Sequence, residues 1–497
     1  MTTTAAGDAA VARLNKATEA FEKIITGASN QVVDVPGYGN QPTLAARVDQ
    51  RLDETTATAT AEANRSRDEA DRATSQATAA ADSVTQAASE FNKAKTQADR
   101  AQSEADRAAQ ITGLSTVADA IGMAALPLPD VWAPLTDSLR LFTGYGREVK
   151  VGTDVVARMV NFSRNSTATY IDKDGLLKTA VANEPRFEKG GLLIEGQSTD
   201  KVPNSNMRPD ILELGAYTIT GVTKNGFALH RCEYVTGNNT LVANLNAAGA
   251  TASFVIDTSD ISGVFAAYFN GTDGYVRFWP KEDSVFKYDD LGGGLVRVSR
   301  LLRDQATSNI LHVRCSSQPG SLITLGCFQV EELPFATSYI PTSGAAVTRA
   351  ADLVGVPQSL NLGESQLGFS LAVEFDTVNT GPHRILELSD FSSIIADGAS
   401  LTIRHAGKEV YGINAPLGRR HHIAYSVAAD GVITVALNGK VLAPQSRSGG
   451  AASSKASIIL GNRWSVANDM AIYGHLRDLK IWTKKPLTAE QLKVASA

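Results

Sequence analysis

Aromatic residues are scarce in this 497-residue chain. They make up 6% of it, and between Tyr38 and Trp132 the only one is Phe91. A stretch that long with a single ring cannot close a globular core of its own. Cysteine is nearly absent too. Cys232, Cys315 and Cys327 are an odd, sparse set, which excludes a disulfide framework and points to buried thiols in a reducing compartment. Long apolar runs are missing: the best candidate, residues 117–135, contains Asp119 and Asp130 with Pro127, Pro129 and Pro134, so no membrane span is expected. The opening MTTTAAGDAAVARLNKATEAFEKI has no basic start leading into an apolar run, so it does not read as a secretory signal. Charge of one sign is also lacking. A net charge of -5 with 20% charged residues gives no reason to expect nucleic acid.

Glycine and proline disappear between Thr43 and Thr112, and that absence introduces what the chain does have. The segment is rich in Ala, Glu, Gln, Arg and Lys and predicts one long helix. Along it, Leu52, Thr56, Ala59, Ala63, Ser66, Ala70, Ala73, Ala77, Ala80, Val84, Ala87, Phe91, Ala94, Ala98, Ala101, Ala105 and Ala108 follow steps of four and three without a slip. Twelve of these 17 positions are alanine, against five of the other 40 between 52 and 108. Composition alone would spread the alanines over every face. A period of 3.5 predicts a left-handed coiled coil. Glu69-Ala70-Asp71-Arg72-Ala73 recurs as Glu104-Ala105-Asp106-Arg107-Ala108, five whole heptads later. Val84 and Phe91 are the large residues expected to set register.

Around this shaft, residues 9–27 predict a short amphipathic helix with Leu14, Ala17, Phe21 and Ile24 on one stripe, ended by Gly27. Residues 28–42 read as a connector and 113–150 as a packed neck. From Val151 the texture changes to short alternating apolar runs: Tyr217–Thr223, Ser253–Ile256, Val276–Trp279, Leu295–Leu301 and Ser321–Val330, then Phe369–Phe375, His383–Leu388, Ser400–His405, His421–Val427, Val432–Leu437, Ser457–Leu460 and Tyr473–Trp482. Asn-Gly and Asp-Gly turns separate them, as at Asn225-Gly226, Asp430-Gly431 and Asn438-Gly439. A last helix is expected over Thr488–Ala495, capped by Thr488. The expected fold is therefore α+β and multidomain: an N-terminal alanine-rich coiled coil followed by two antiparallel β-sandwich (jelly-roll) domains.

Three separated segments carry a resemblance. Asn161–Asp174 (NFSRNSTATYIDKD), Gly191–Thr199 (GLLIEGQST) and Phe335–Asp352 (FATSYIPTSGAAVTRAAD) resemble, in this order, a module of bacteriophage tail fibres and related virion proteins with a carbohydrate-binding-module-like jelly roll. That family usually has asparagine where Asp200 stands. Arg420–Tyr425, Ile433–Val441 and His475–Leu487 resemble the laminin-G/concanavalin-like family, and Val35–Leu52 is similar to the leader before the shaft of phage fibres. The resemblance implies five parts: a virion-docking leader (1–42), a coiled-coil shaft (43–112), a neck (113–150), a carbohydrate-binding-module-like sandwich (151–352) and a laminin-G/concanavalin-like sandwich (353–497). It implies a homotrimeric tail fibre in the virion, made in the host cytoplasm. Its N-terminal region would dock on tail or other virion proteins, and its C-terminal domains would hold a host surface glycan or protein. The alternatives are a tail-spike enzyme degrading surface polysaccharide and a head-decorating fibre of the same build.

No catalytic, cofactor or metal set emerges from the residues, so the expectation is a binding protein and not an enzyme. Asp172-Lys173-Asp174-Gly175 begins like a calcium loop, but residue 183, where its glutamate would stand, is Asn. It reads as a turn. His421-His422 falls in a strand, where neighbours face opposite ways. Cys315 and Cys327 stand twelve residues apart and read as buried thiols. Gly292-Gly293-Gly294 joins strands and is no phosphate cradle. Trp464, Tyr473, Tyr411 and Tyr425 are the aromatic residues that could stack on a sugar ring.

Overall fold

The computed structural model describes residues 3–112, 126–269, 274–281, 285–302, 310–362, 367–389, 392–405, 407–449, 457–463 and 470–497. It forms two compact units, 1–118 and 119–497.

In the first unit, helix α1 (Thr3–Thr26) begins earlier than the stripe predicts. Gly27 ends it, since a Cβ there would lie 2.5 Å from the Lys23 carbonyl oxygen. The expected connector contains a hairpin, Val32–Val35 against Gly39–Pro42. Its turn uses Gly37 and Gly39 at positive φ. Helix α2 runs unbroken over Leu44–Thr112, 69 residues, or about 100 Å at the usual rise. Thr43 caps it, with its hydroxyl accepting from the Ala46 amide at 3.1 Å. Mid-helix hydroxyls such as Thr74, Thr78 and Thr96 donate back to the carbonyl four residues earlier. Every side chain from Arg51 to Ala98 is exposed, including Leu52, Val84 and Phe91. In α1 the buried residue is Ala20, while Leu14 and Phe21 of the expected stripe face solvent.

The second unit is built almost wholly from antiparallel sheets. The smaller of its two sandwiches is continuous in sequence. A six-stranded sheet (Tyr217–Lys224, Phe227–Tyr234, Leu322–Glu331, Thr251–Ser262, Leu295–Leu301, Phe286–Gly292) packs on a five-stranded sheet (Asp210–Ile211, Thr240–Asn244, Ile310–Cys315, Phe265–Phe269, Val276–Trp279). Between them lie Phe254, Phe265, Phe269, Phe278 and Phe328. Cys232 and Cys315 are buried in the same core, and Cys327 lies in a smaller cluster beside it. Burial pushes the Cys232 and Cys327 thiols up to about 12. Gly292, Gly293 and Gly294 all have positive φ in the turn before Leu295, a run of left-handed residues that glycine alone adopts freely.

The larger sandwich is discontinuous. Its two eight-stranded sheets enclose Phe369, Leu371, Phe375, Tyr425 and Ile481 together with Val131, Leu135, Leu139, Leu192 and Ile194. The expected boundaries at 150/151 and 352/353 do not coincide with these cores. Val131–Ala133, from the expected neck, pairs with Gly474–Trp482. Leu192 lies opposite Leu476, and Phe162 lies opposite Val354. The smaller sandwich is thus inserted into the larger one. The physical reason is that these joining strands are three to four residues long. Their pairing is fixed by burial against distant strands and not by a local pattern. The final helix, Ala489–Ala495, has the expected capping box: the Thr488 hydroxyl accepts from the Gln491 amide.

Candidate functional site

Residues of Asn161–Asp174, Gly191–Thr199 and Phe335–Asp352 meet in a buried charge network with Arg186. Arg164 donates to Asp352 Oδ1 at 3.0 Å and to the carbonyls of Ser166, Val181 and Glu184. Arg186 donates to Asp352 Oδ2 at 2.6 Å and to Glu195 Oε2 at 2.7 Å. Arg349 reaches the same Glu195 oxygen at 3.0 Å. Ser338 closes the ring by donating its amide and hydroxyl to Glu195. Burial alone would push the Glu195 carboxyl up, but Arg349 and Arg186 hold it down at about 2. All three guanidinium groups are buried. A buried arginine survives only when paired, so this cluster joins segments. It does not present them to a ligand.

Asp200 lies next to that network. Its Oδ1 accepts from the Val202 and Val330 amides, each at 3.0 Å, while Oδ2 is buried without a hydrogen-bond partner. Burial pushes this carboxyl up to about 8. A cavity of about 110 Å³ opens nearby, and its lining includes Thr169, Phe227, Val255 and Tyr339 together with Glu195 and Arg297. Both of those are already engaged, Arg297 by Asp289 at 3.0 Å. Further along, His475 is clamped between Asp376 at 2.9 Å and Glu188 at 3.1 Å. Burial disfavours its charge, but the two carboxylates raise it to about 10, so it serves as a fixed cation joining strands.

The residues weighed in sequence separate clearly. Asp172 sits in the turn between Ala168–Ile171 and Leu177–Ala180, and its Oδ1 accepts from the Asp174 and Leu176 amides. His421 is buried against the Pro416 carbonyl, and His422 faces the other way onto Glu374 at 2.9 Å. Tyr425 is in the core. Tyr473 packs on Phe335 with ring centroids 5.0 Å apart and donates to the Gln197 carbonyl. Tyr411 remains half-exposed under Arg447, whose charge is met by Glu409. Trp464 lies outside the described residues.

A better-formed platform lies on the outer face of the five-stranded sheet. Strict alternation creates it. In Phe265–Phe269 the phenylalanines and Ala267 point into the core, leaving Ala266 and Tyr268 outside. In Ile310–Cys315, Leu311, Val313 and Cys315 point in, leaving His312 and Arg314 outside. Tyr268 stands opposite His312, and Ala266 stands opposite both Arg314 and Arg277. The Tyr268 ring lies 5.5 Å from Tyr275 and 5.5 Å from His312. The Arg314 guanidinium sits 3.9 Å from the centre of the Tyr275 ring. Burial, and then Arg314, lower the His312 pKa, so the imidazole is neutral at neutral pH.

No family model and no curated protein matches this chain.

The outer face offers two rings, a neutral imidazole and a stacked guanidinium on a rigid sheet. That set can cover the apolar face of a sugar and hydrogen-bond its hydroxyls. Sequence reading did not find it, because Phe265–Phe269 and Ile310–Cys315 were not recognised as strands. The available signal was the alternation within FAAYF and ILHVRC, which places Tyr, His and Arg at outward positions.

Proposed function

We propose that this chain is a subunit of a homotrimeric bacteriophage tail fibre that attaches the virion to a host surface glycan. The observation that carries this reading is helix α2, whose side chains from Arg51 to Ala98 are all exposed along an uninterrupted alanine heptad seam. A helix of that length with an apolar stripe is stabilised by packing against others like it. Second and third copies of the same seam supply that packing in register, making α2 a coiled-coil shaft. In chain order the shaft stands between a leader that docks on other virion proteins and the two sandwiches. The smaller sandwich acts as a jelly-roll module of carbohydrate-binding-module type, and the larger as a laminin-G/concanavalin-like module. The sugar contact is the face formed by Tyr268, Tyr275, His312 and Arg314, and the fibre holds its glycan without cleaving it.

The mass of the intact protein in solution tests the assembly. Three times the 52.5 kDa of one chain is expected; a monomer or dimer refutes the trimeric shaft. Incubation with host surface polysaccharide tests the activity, and release of reducing ends would replace attachment with depolymerisation. Imaging of virions labelled on the last sandwich tests the location, which is the tail.

A further inference from the structure

The charge on this face specifies the sugar. We infer that the outer face of the five-stranded sheet takes an acidic glycan, with a sugar ring lying on Tyr268 and Tyr275 and its carboxylate held by Arg314. This rests on the reading of that face as the glycan contact, and deepens it.

Among the described residues three arginines lie over tyrosine rings, Arg158, Arg314 and Arg447, and Arg314 is the one of them with no ion pair. Arg447 lies over Tyr411 in a similar stack, but Glu409 neutralises it and also meets Arg404 at 3.0 Å. Arg231 is paired with Glu233 and Asp260, and Arg297 with Asp289. Arg314 is exposed and makes no ion pair among the described residues. Its position does not reflect a generally basic molecule, because the chain carries a net charge of -5. The strands of this sheet contain one carboxylate, Asp210. It lies opposite Val242 on an edge strand two strands away from Arg314, or roughly 10 Å at the usual strand spacing. Among the described residues, no carboxylate of these strands lies against Arg314.

Geometry adds a second argument. Arg314 has Thr240 opposite it on one neighbouring strand and Ala266 on the other. Both are small, so the guanidinium is approachable from above. Arg277 stands across Ala266 on the next strand. Stacking on Tyr275 fixes the plane of the Arg314 fork. A fixed fork meets a carboxylate through two parallel hydrogen bonds, a match that a neutral hydroxyl cannot reproduce. His312 is held neutral beside it and contributes hydrogen bonds to hydroxyls without competing for the anion.

The test uses the full-length protein and binding to immobilised polymers of three kinds. These are polygalacturonate, alginate and hyaluronate as carboxylate chains, dextran and amylose as neutral chains, and dextran sulfate as a sulfated chain. Binding to at least one carboxylate polymer is expected, weakening with added salt. Arg314→Gln should weaken it on the order of tenfold, the value of a charged hydrogen-bonded contact. Tyr268→Ala should abolish it, with strand melting unchanged in both variants because both side chains lie outside the core. Binding that prefers neutral chains and ignores Arg314→Gln but is lost in Tyr268→Ala overturns the acidic assignment and keeps the face as the glycan contact. Preference for dextran sulfate over every carboxylate chain also overturns it. Binding that is indifferent to Tyr268→Ala, or no binding to any polymer, overturns the face itself.

Discussion

Replacing Asp200 by asparagine should stabilise the protein, and more so as pH rises. The carboxyl accepts two backbone amides through Oδ1, and its other oxygen is buried with no partner. Unfolded, it titrates near its ordinary 3.8; folded, burial moves it to about 8. A group whose folded pKa is raised favours the fold fully below pH 3.8. It withdraws that support as pH climbs, until the folded group also ionises near 8. At about 1.4 kcal/mol per pH unit, the whole window amounts to a ceiling of about 6 kcal/mol, of which about 4 falls between pH 5 and 8. Asparagine keeps the two accepted hydrogen bonds through its Oδ1 and has no charge to desolvate. The assay is denaturant unfolding followed by strand ellipticity at pH 5, 7 and 9, wild type against Asp200→Asn. The variant should gain stability over wild type by a margin that widens from pH 5 to 9. Parallel pH profiles for the two proteins would refute the argument, since they would mean that Asp200 is hydrated or finds a partner for Oδ2.

Two further outcomes follow from packing. Replacing both Val84 and Phe91 with serine removes the two largest apolar side chains of the seam after Leu52, each worth about 1.5–3 kcal/mol when buried between helices. Helical ellipticity should melt earlier while strand melting stays put, and coincident melting of wild type and variant would refute the shaft. Arg186→Met leaves Asp352 and Glu195 short of a partner in a dry site, which costs about 3–5 kcal/mol. A loss under 1 kcal/mol in the unfolding of the sandwiches would show that the network does not join them.

Much of the architecture was legible because local chemistry determines it. The absence of glycine and proline over 43–112 gave α2 to within a residue. Turn residues bracket Val276–Trp279, Leu295–Leu301, Phe369–Phe375 and Ser400–His405, and these strands fall where alternation places them. The nesting of one sandwich in the other was not legible. Gly191–Ile194 is apolar at Leu192, Leu193 and Ile194 and buried throughout, so it has no polar face to orient it. Its partner is Gly474–Trp482, near the other end of the chain. The buried role of Arg164, Arg186 and Arg349 was also hidden, because arginine is ordinarily a surface residue and only three-dimensional pairing permits otherwise. The aromatic face escaped for a simpler reason: its strands are five and six residues long, and Ile310–Cys315 carries no Phe, Tyr or Trp.

Asn161–Asp174, Gly191–Thr199 and Phe335–Asp352 are spent on a buried lock around Arg164, Glu195, Arg349 and Asp352. Tyr268, Tyr275, His312 and Arg314 all fall between the second and third of those segments; Tyr268, His312 and Arg314 stand on strands whose inward residues form the core, and Tyr275 immediately precedes Val276–Trp279. A substitution at an outward position of these strands leaves both the lock and the core intact, because neighbours on a strand face opposite sides. Recognition can thus change residue by residue while the module holds its shape. If that face is the glycan contact, the buried lock holds the scaffold while the outward residues, with Arg314 at their centre, select the ligand.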